Sequence, residues 1–256
     1  MVKQKTVLAK AKTWALKKKI FGAQAFFRYV IFCFAENLNQ VSDDFVFKGG
    51  NLLWVYIGTP RATVDLDLIT LEANSHEEVR KALVAASGLK GDIRFSLTSF
   101  KEVQQEGKIG CVATITYSTT QGATNRFDID IVYAIETDSR EIESPVHSEH
   151  RIRSATLENI VADKLAACHR YKAGNTRMKD FDDLWRLSRS ELSVDHRILA
   201  RLLKSRKIPA KIESSWISTD FENAWQTHRS RYQDLPRDLG DLFKDVNEWL
   251  AGKSVR

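Results

Sequence analysis

From Thr156 onward the apolar residues recur only at helical spacing, whereas the stretch before it holds runs that alternate with period two. A period of 3.6 cannot bury one face of a strand, nor a period of two one face of a helix, so the pattern divides the chain into a mixed α/β half and a helical half. Strand signals fall at Phe45-Val46-Phe47, at Val64-Asp65-Leu66-Asp67-Leu68, and over residues 93–100, 109–117 and 126–133, with Gly107 and Gly122 at the turns. Two helices are expected between residues 6 and 40, where Phe26, Phe27, Val30, Ile31 and Phe34 mark a buried face. A further helix over residues 76–87 opens at the cap residue Ser75. After Thr156 the helices fall over about residues 157–172, 178–187 and 195–204, with two later tryptophan-containing segments. Residues 141–154, with Pro145, read as the linker between the halves.

Charge and composition narrow the function classes. Of 256 residues, 39 are Lys or Arg and 33 Asp or Glu, for a net charge of +6 and a pI near 9.2. This permits a nucleic-acid partner without demonstrating one. A hydrophobic fraction of 43% and a charged fraction of 28% argue against a mainly disordered or fibrous chain. The longest apolar stretch, around residues 26–34, is broken by Arg28 and too short to span a bilayer. The early lysines (Lys3, Lys5, Lys10, Lys12, Lys17, Lys18, Lys19) precede no uninterrupted apolar segment, so no export signal and a cytoplasmic location are expected. Cys33, Cys111 and Cys168 lack metal-ligand spacing and read as reduced thiols. His147, His150, His196 and His228 show no partner at metal spacing and, with His169, read as non-catalytic. The tryptophans read as core.

The chemistry lies in the carboxylates. Period two puts Asp65 and Asp67 on one face of a strand and does the same for Asp128 and Asp130. Like charges gathered there repel by about 4 kcal/mol per pair at intermediate dielectric, so the cluster needs a cation or a proton. Mg2+, a hard ion that takes oxygen ligands, is the natural occupant. An Asp-x-Asp strand alone is as often a solvated sheet face. Lys48-Gly49-Gly50, between a strand and a helix, adds a turn at which backbone N–H groups and a helix N-terminus can receive a phosphate. Together the two features place a triphosphate cradle beside a two-metal site.

In these features the chain resembles the polymerase-beta superfamily of nucleotidyltransferases, and more narrowly the AbiEii/AbiGii toxin family, which includes the MenT group. The resemblance runs over roughly residues 41–188. It rests on Phe47-Lys48-Gly49-Gly50-Asn51-Leu52-Leu53 leading to Arg61-Ala62-Thr63-Val64-Asp65-Leu66-Asp67, and on Asp130-Ile131-Val132-Tyr133. It rests above all on Glu158-Asn159-Ile160-Val161-Ala162-Asp163-Lys164-Leu165-Ala166-Ala167 followed by Asn175-Thr176-Arg177-Met178-Lys179-Asp180-Phe181-Asp182-Asp183-Leu184-Trp185. The chain departs from the pattern at Gly49-Gly50, where Gly-Ser is usual, at Thr63, where Ser is frequent, and at Asp182, an acid expected to be exposed where relatives carry an aromatic.

The resemblance implies an α+β protein with a polymerase-beta-like core, a mixed sheet flanked by helices, over residues 1–145. An all-helical domain over residues 146–256 would complete the active site. It implies an NTP as substrate and two Mg2+ ions on Asp65, Asp67 and Asp130. Asp128 shares the face of Asp130, but the family match selects Asp130. Lys48, Gly49, Gly50, Thr63, Lys164 and Arg177 would bind the nucleotide, and Lys164, Arg170, Lys172, Arg177 and Lys179 would form a basic active face. Asp180 would be either the anchor of an Arg/Lys network or a general base, and Asp183 a helix brace. The implied activity is transfer of a nucleoside monophosphate to an acceptor hydroxyl, with RNA such as tRNA as acceptor. The implied setting is a type IV toxin–antitoxin or phage-defence pair with a cognate antitoxin. A protein or small-molecule acceptor such as an aminoglycoside, or nucleotide binding without turnover, are the alternatives.

Overall fold

The computed structural model describes residues 6–20, 23–72, 75–90, 92–105, 108–133, 137–174 and 177–252. Lys3, Lys5, Gly107, Asn175 and Thr176, named above, lie outside these. The chain forms two compact units, Met1–Val55 with Pro60–Ala155, and Tyr56–Thr59 with Thr156–Arg256.

In the first unit α1 (Val7–Lys17) and α2 (Ala23–Val41) precede β1 (Phe45–Lys48), α3 (Gly49–Ile57), β2 (Asp65–Thr70) and α4 (His76–Ala86). Six strands follow: β3 (Gly88–Lys90), β4 (Ile93–Gln105), β5 (Lys108–Thr119), β6 (Thr124–Val132), β7 (Ser139–Glu143) and β8 (Arg151–Ala155). They build one mixed sheet of eight strands in the order β3-β4-β5-β6-β2-β1-β8-β7. The strand β2 pairs antiparallel with β1 and parallel with β6. Leu66, Leu68 and Ile69 of β2 are buried, so the alternate positions of Asp65 and Asp67 fall on the more open face.

Helix α2 supplies much of the core. Val30, Ile31, Phe32 and Phe34 are fully buried; Phe34 meets Phe95 and Phe127 at 5.2 and 5.6 Å between ring centroids, and Phe32 meets Phe47 at 5.8 Å. Each such side chain contributes about 1.5–3 kcal/mol of burial. Helix α4 opens with a capping box. The Ser75 hydroxyl accepts from the Glu78 N–H, and the Glu78 carboxylate accepts from the Ser75 N–H at 2.9 Å.

The segment expected to be a linker, residues 141–154, instead belongs to the sheet. The strands β7 and β8 pair antiparallel, and Phe47 of β1 lies in parallel register with Ser154. The division between units therefore falls after Ala155 rather than at 145/146. Strand pairing satisfies the backbone there although β7, at the sheet edge, buries little and shows no alternation to read. Its Arg140, Glu141 and Glu143 keep that edge charged, which discourages pairing with another chain.

The second unit contains α5 (Leu157–Tyr171), α6 (Met178–Ser188), α7 (His196–Arg206), α8 (Thr219–Arg229) and α9 (Leu239–Leu250), with short 3-10 turns at Lys172–Gly174 and Ser214–Trp216. Thr156, Asp195, Ser218 and Asp238 cap α5, α7, α8 and α9 through their side chains. Phe181 stacks on Phe243 at 5.6 Å and meets Phe221 edge-on at 5.1 Å. Trp225 is fully buried, and its indole N–H donates to the Pro236 carbonyl at 3.1 Å.

Asp182 corrects a reading of the sequence. It is fully buried rather than exposed. Its oxygens meet Arg186 Nε at 2.5 Å and His228 Nε2 at 2.8 Å, and Arg186 reaches on to Asp234. The i,i+4 spacing of Asp182 and Arg186 brings their side chains together on α6. All three cysteines are free, and Cys111 and Cys168 are buried. Among the described residues no helix is long and apolar enough to cross a membrane.

Candidate active site

The sheet register builds the carboxylate cluster. Asp67 stands opposite Lys48 on its β1 side and opposite Asp130 on its β6 side, while Asp65 stands opposite Asp128. Carboxylate oxygens of Asp65, Asp67 and Asp130 lie within 4.8 Å of one another. Asp128 is outside this group; it is exposed and accepts from the Thr114 hydroxyl at 2.7 Å. Burial, and then repulsion from Asp67, Asp65 and Asp128, push the Asp130 carboxyl above its ordinary range, opposed by the charge of Lys48.

Helix α3 begins directly at the end of β1, with Gly49 at φ +74°. The glycines here have a reason that the sequence did not supply. A Cβ on Gly49 would lie 1.8 Å from Asp67 Oδ2, and one on Gly50 would lie 2.4 Å from Arg61 Nη2 and 2.5 Å from Thr63 Oγ1. Both positions are bare because neighbouring side chains occupy the space, in addition to any approach by phosphate. Gly49→Ala is accordingly expected to add about 1–2 kcal/mol of backbone strain and to push Asp67 aside. Misplacement by about 1 Å at a reacting centre costs on the order of 100-fold in rate. Transfer rate and melting temperature of the variant check both effects, and an unchanged rate would show that Asp67 need not sit where it does.

Three buried polar residues that the sequence reading did not assign hold this arrangement. The Asn51 amide donates to the Asp65 carbonyl at 2.7 Å and accepts from Arg28 Nε at 3.2 Å. Arg28 also donates to the Arg61 carbonyl at 3.3 Å and lies 4.8 Å from the Trp54 ring centroid. Burial, and secondly the charge of Arg61, push the Arg28 guanidinium down to about 10. The signal for it in the sequence is Arg28 itself, an arginine inside an apolar helical run.

The same face opens into a cavity of about 960 Å³, whose lining includes Phe26, Phe27, Tyr117 and Phe127 together with Thr63, Asp65 and Asp130. Thr63 Oγ1 is buried there without a hydrogen-bond partner. An orphaned hydroxyl, a charge-strained carboxylate trio and a helix N-terminus suit a divalent cation and a phosphate.

Lys164, Arg177 and Asp180 belong to the second unit. Lys164 is 9% exposed, and its ammonium lies 3.1 Å from Asp180 Oδ1 and 2.5 Å from Asp183 Oδ2. Arg177 Nε lies 3.4 Å from Asp180 Oδ2, and Arg177 is exposed. Lys164 is thus a buried ion-pair partner rather than part of an open basic face. Arg170, Lys172 and Arg177 are exposed and Lys179 is half-buried.

The model of the family described as "Nucleotidyl transferase AbiEii toxin, Type IV TA system" matches residues 34–251. The chain belongs to the AbiEii family. It is a nucleotidyltransferase, and membership implies an NTP substrate and an antitoxin partner. Two solved structures share the AbiEii protein's fold. A candidate nucleotidyltransferase from Helicobacter pylori aligns at 17% identity and a TM-score of 0.54, covering 90% of this chain and 95% of its own. JHP933 from the same organism aligns at 18% identity and a TM-score of 0.54, covering 90% and 92%. No curated protein matches the chain.

Proposed function

We propose that this AbiEii enzyme moves a nucleoside monophosphate from an NTP to an acceptor hydroxyl of RNA, with tRNA as the model acceptor, as the MenT-like toxin of a type IV toxin–antitoxin or phage-defence pair acting in the cytoplasm. The observation that carries this reading is the convergence of Asp65, Asp67 and Asp130 within 4.8 Å, beside the α3 N-terminus. Those three carboxylates would hold two Mg2+ ions, whose chemistry is to neutralise triphosphate charge and to lower the pKa of an attacking hydroxyl.

The chain's own residues do the rest. Asn51, hydrogen-bonded to the Asp65 carbonyl, holds the start of β2, whose period of two puts both of its carboxylates on one face. The first turn of α3, at Gly49 and Gly50, presents backbone N–H groups, and the Thr63 hydroxyl supplies a donor for a phosphate oxygen. Lys48, opposite Asp67, adds positive charge. Phe26 and Phe27, half-buried in the cavity lining, offer π faces against which a base can stack. In the second unit, Lys164 and Arg177 converge on Asp180. Asp180, ion-paired to both, is assigned as the anchor of that pair. The excess of base favours a polyanionic acceptor.

The test incubates each radioactive NTP with the enzyme and Mg2+ in the presence of total tRNA, with protein, with an aminoglycoside, and alone. Label in tRNA that disappears when Mg2+ is chelated is the expected result. Label in protein or in the small molecule, with none in tRNA, overturns the RNA assignment. Absence of label anywhere overturns the proposed reaction.

A further inference from the structure

A second cluster of metal-ligating side chains lies in the first unit, built by α2 and the β7–β8 hairpin. Glu36 on α2 is 3% exposed. Its Oε1 accepts from the Ser144 hydroxyl and from the His147 N–H at 3.2 Å. Its Oε2 lies 2.7 Å from His147 Nδ1 and 3.2 Å from His150 Nδ1. The two imidazoles therefore turn the same nitrogen toward one carboxylate oxygen, and the three ligand atoms lie within 4.8 Å of one another.

The two contacts are not alike. His147 Nδ1 has full hydrogen-bond geometry to Glu36 at 2.7 Å, whereas the buried His150 Nδ1 faces the same oxygen at 3.2 Å in poorer geometry. A structural latch for a buried carboxylate would need only the first. The backbone is already set for both: the Ser144 N–H donates to the His150 carbonyl at 3.0 Å, and the His150 N–H to the His147 carbonyl at 2.9 Å. Pre-set backbone, two like nitrogens and a carboxylate oxygen form a ligand set in which one Lewis acid can satisfy both nitrogens and the oxygen they share. Two imidazoles and a carboxylate suit a borderline divalent ion such as Zn2+ or Co2+ better than Mg2+.

We infer that Glu36, His147 and His150 form a binding site for one Zn2+-class ion, which ties the β7–β8 hairpin to α2. Both imidazoles are about two-fifths exposed, His147 at 39% and His150 at 38%, so the fourth coordination position is left to water. The site shares no residue with the Asp65, Asp67 and Asp130 cluster and does not depend on the reaction proposed above.

The experiment uses the full-length protein stripped with a chelator and titrated with Co2+ or Zn2+ alone. One equivalent of Co2+ is expected to give visible ligand-field absorption that Zn2+ displaces. His150→Gln removes the weaker of the two imidazole contacts to Glu36, at a side chain that is 38% exposed, so the fold is expected to survive. Its Zn2+ affinity should fall beyond the about 10–100-fold typical of losing an outer-shell partner. Asp65→Asn with Asp67→Asn should leave this Zn2+ affinity unchanged. In the unsubstituted protein, the imidazole nitrogen NMR signals of His147 and His150 should move with one equivalent of Zn2+ while those of His196 and His228 stay. Absent Co2+ absorption, unmoved His147 and His150 signals, or unchanged Zn2+ affinity in His150→Gln would each overturn the site.

Discussion

Asp67→Asn is expected to lower the rate of nucleotidyl transfer on the order of a thousandfold, equivalent to about 4 kcal/mol of lost transition-state stabilisation. Asp67 is the central member of the trio, between Lys48 and Asp130 in the register of the sheet and beneath the bare backbone of Gly49. The amide keeps the shape and removes the charge. Because repulsion with Asp65 and Asp130 is relieved, the melting temperature in the absence of metal should stay level or rise slightly. The paired measurements are single-turnover transfer with saturating Mg2+ and a thermal melt in chelator. A rate within tenfold of the unsubstituted enzyme would remove Asp67 from the proposed chemistry.

The largest effect on stability is expected from Asp182→Ala. Burial alone would push the Arg186 guanidinium down, but hydrogen bonding to Asp234 and the charge of Asp182 outweigh it and hold it above its ordinary value. Removing Asp182 leaves a mostly buried guanidinium with Asp234 as its remaining carboxylate and a mostly buried imidazole without its acceptor. Breaking a buried pair in this way costs about 3–5 kcal/mol. Asp234→Ala removes the other partner of Arg186, but that side chain is 55% exposed and solvent screens it, so the cost should be below about 1 kcal/mol. Urea unfolding of the two variants side by side decides the matter, and equal losses would mean that burial is not what gives Asp182 its weight.

The long strands and most helices could be read from the chain because one face of each is buried. Residues 93–100 and 109–117 lie within β4 and β5, and Ser75 caps α4. The face shared by Asp65 and Asp67 also followed from strand periodicity. Four features did not. Strand β3 is three residues long, and β7 is an exposed edge, so neither carries a period. Asp182 and Lys164 are charged residues whose burial is compensated by partners that only the folded chain brings near, and charge alone reads as exposure. The hydrogen bonds from Arg28 to Asn51 and from Asn51 to Asp65 join α2, α3 and the start of β2, and no local pattern announces them. Spacing along the chain likewise hid the approach of His147 and His150 to Glu36, which lies on a different element.

The parallel pairing of β2 with β6 fixes when, during synthesis, the carboxylate trio can first assemble. Parallel neighbours cannot be joined by a tight turn. Here α4 and the strands β3, β4 and β5 intervene between Asp67 and Asp130. A ribosome that has delivered β2 has therefore made two of the three carboxylates but not the strand that brings the third beside them. The parallel partner of β1 is made later still, when Ser154 emerges to pair with Phe47. Long-range pairings of this kind form late and slowly. Fragments that end before β6 therefore lack the assembled trio, and the proposed reaction requires a chain that has closed this part of the sheet.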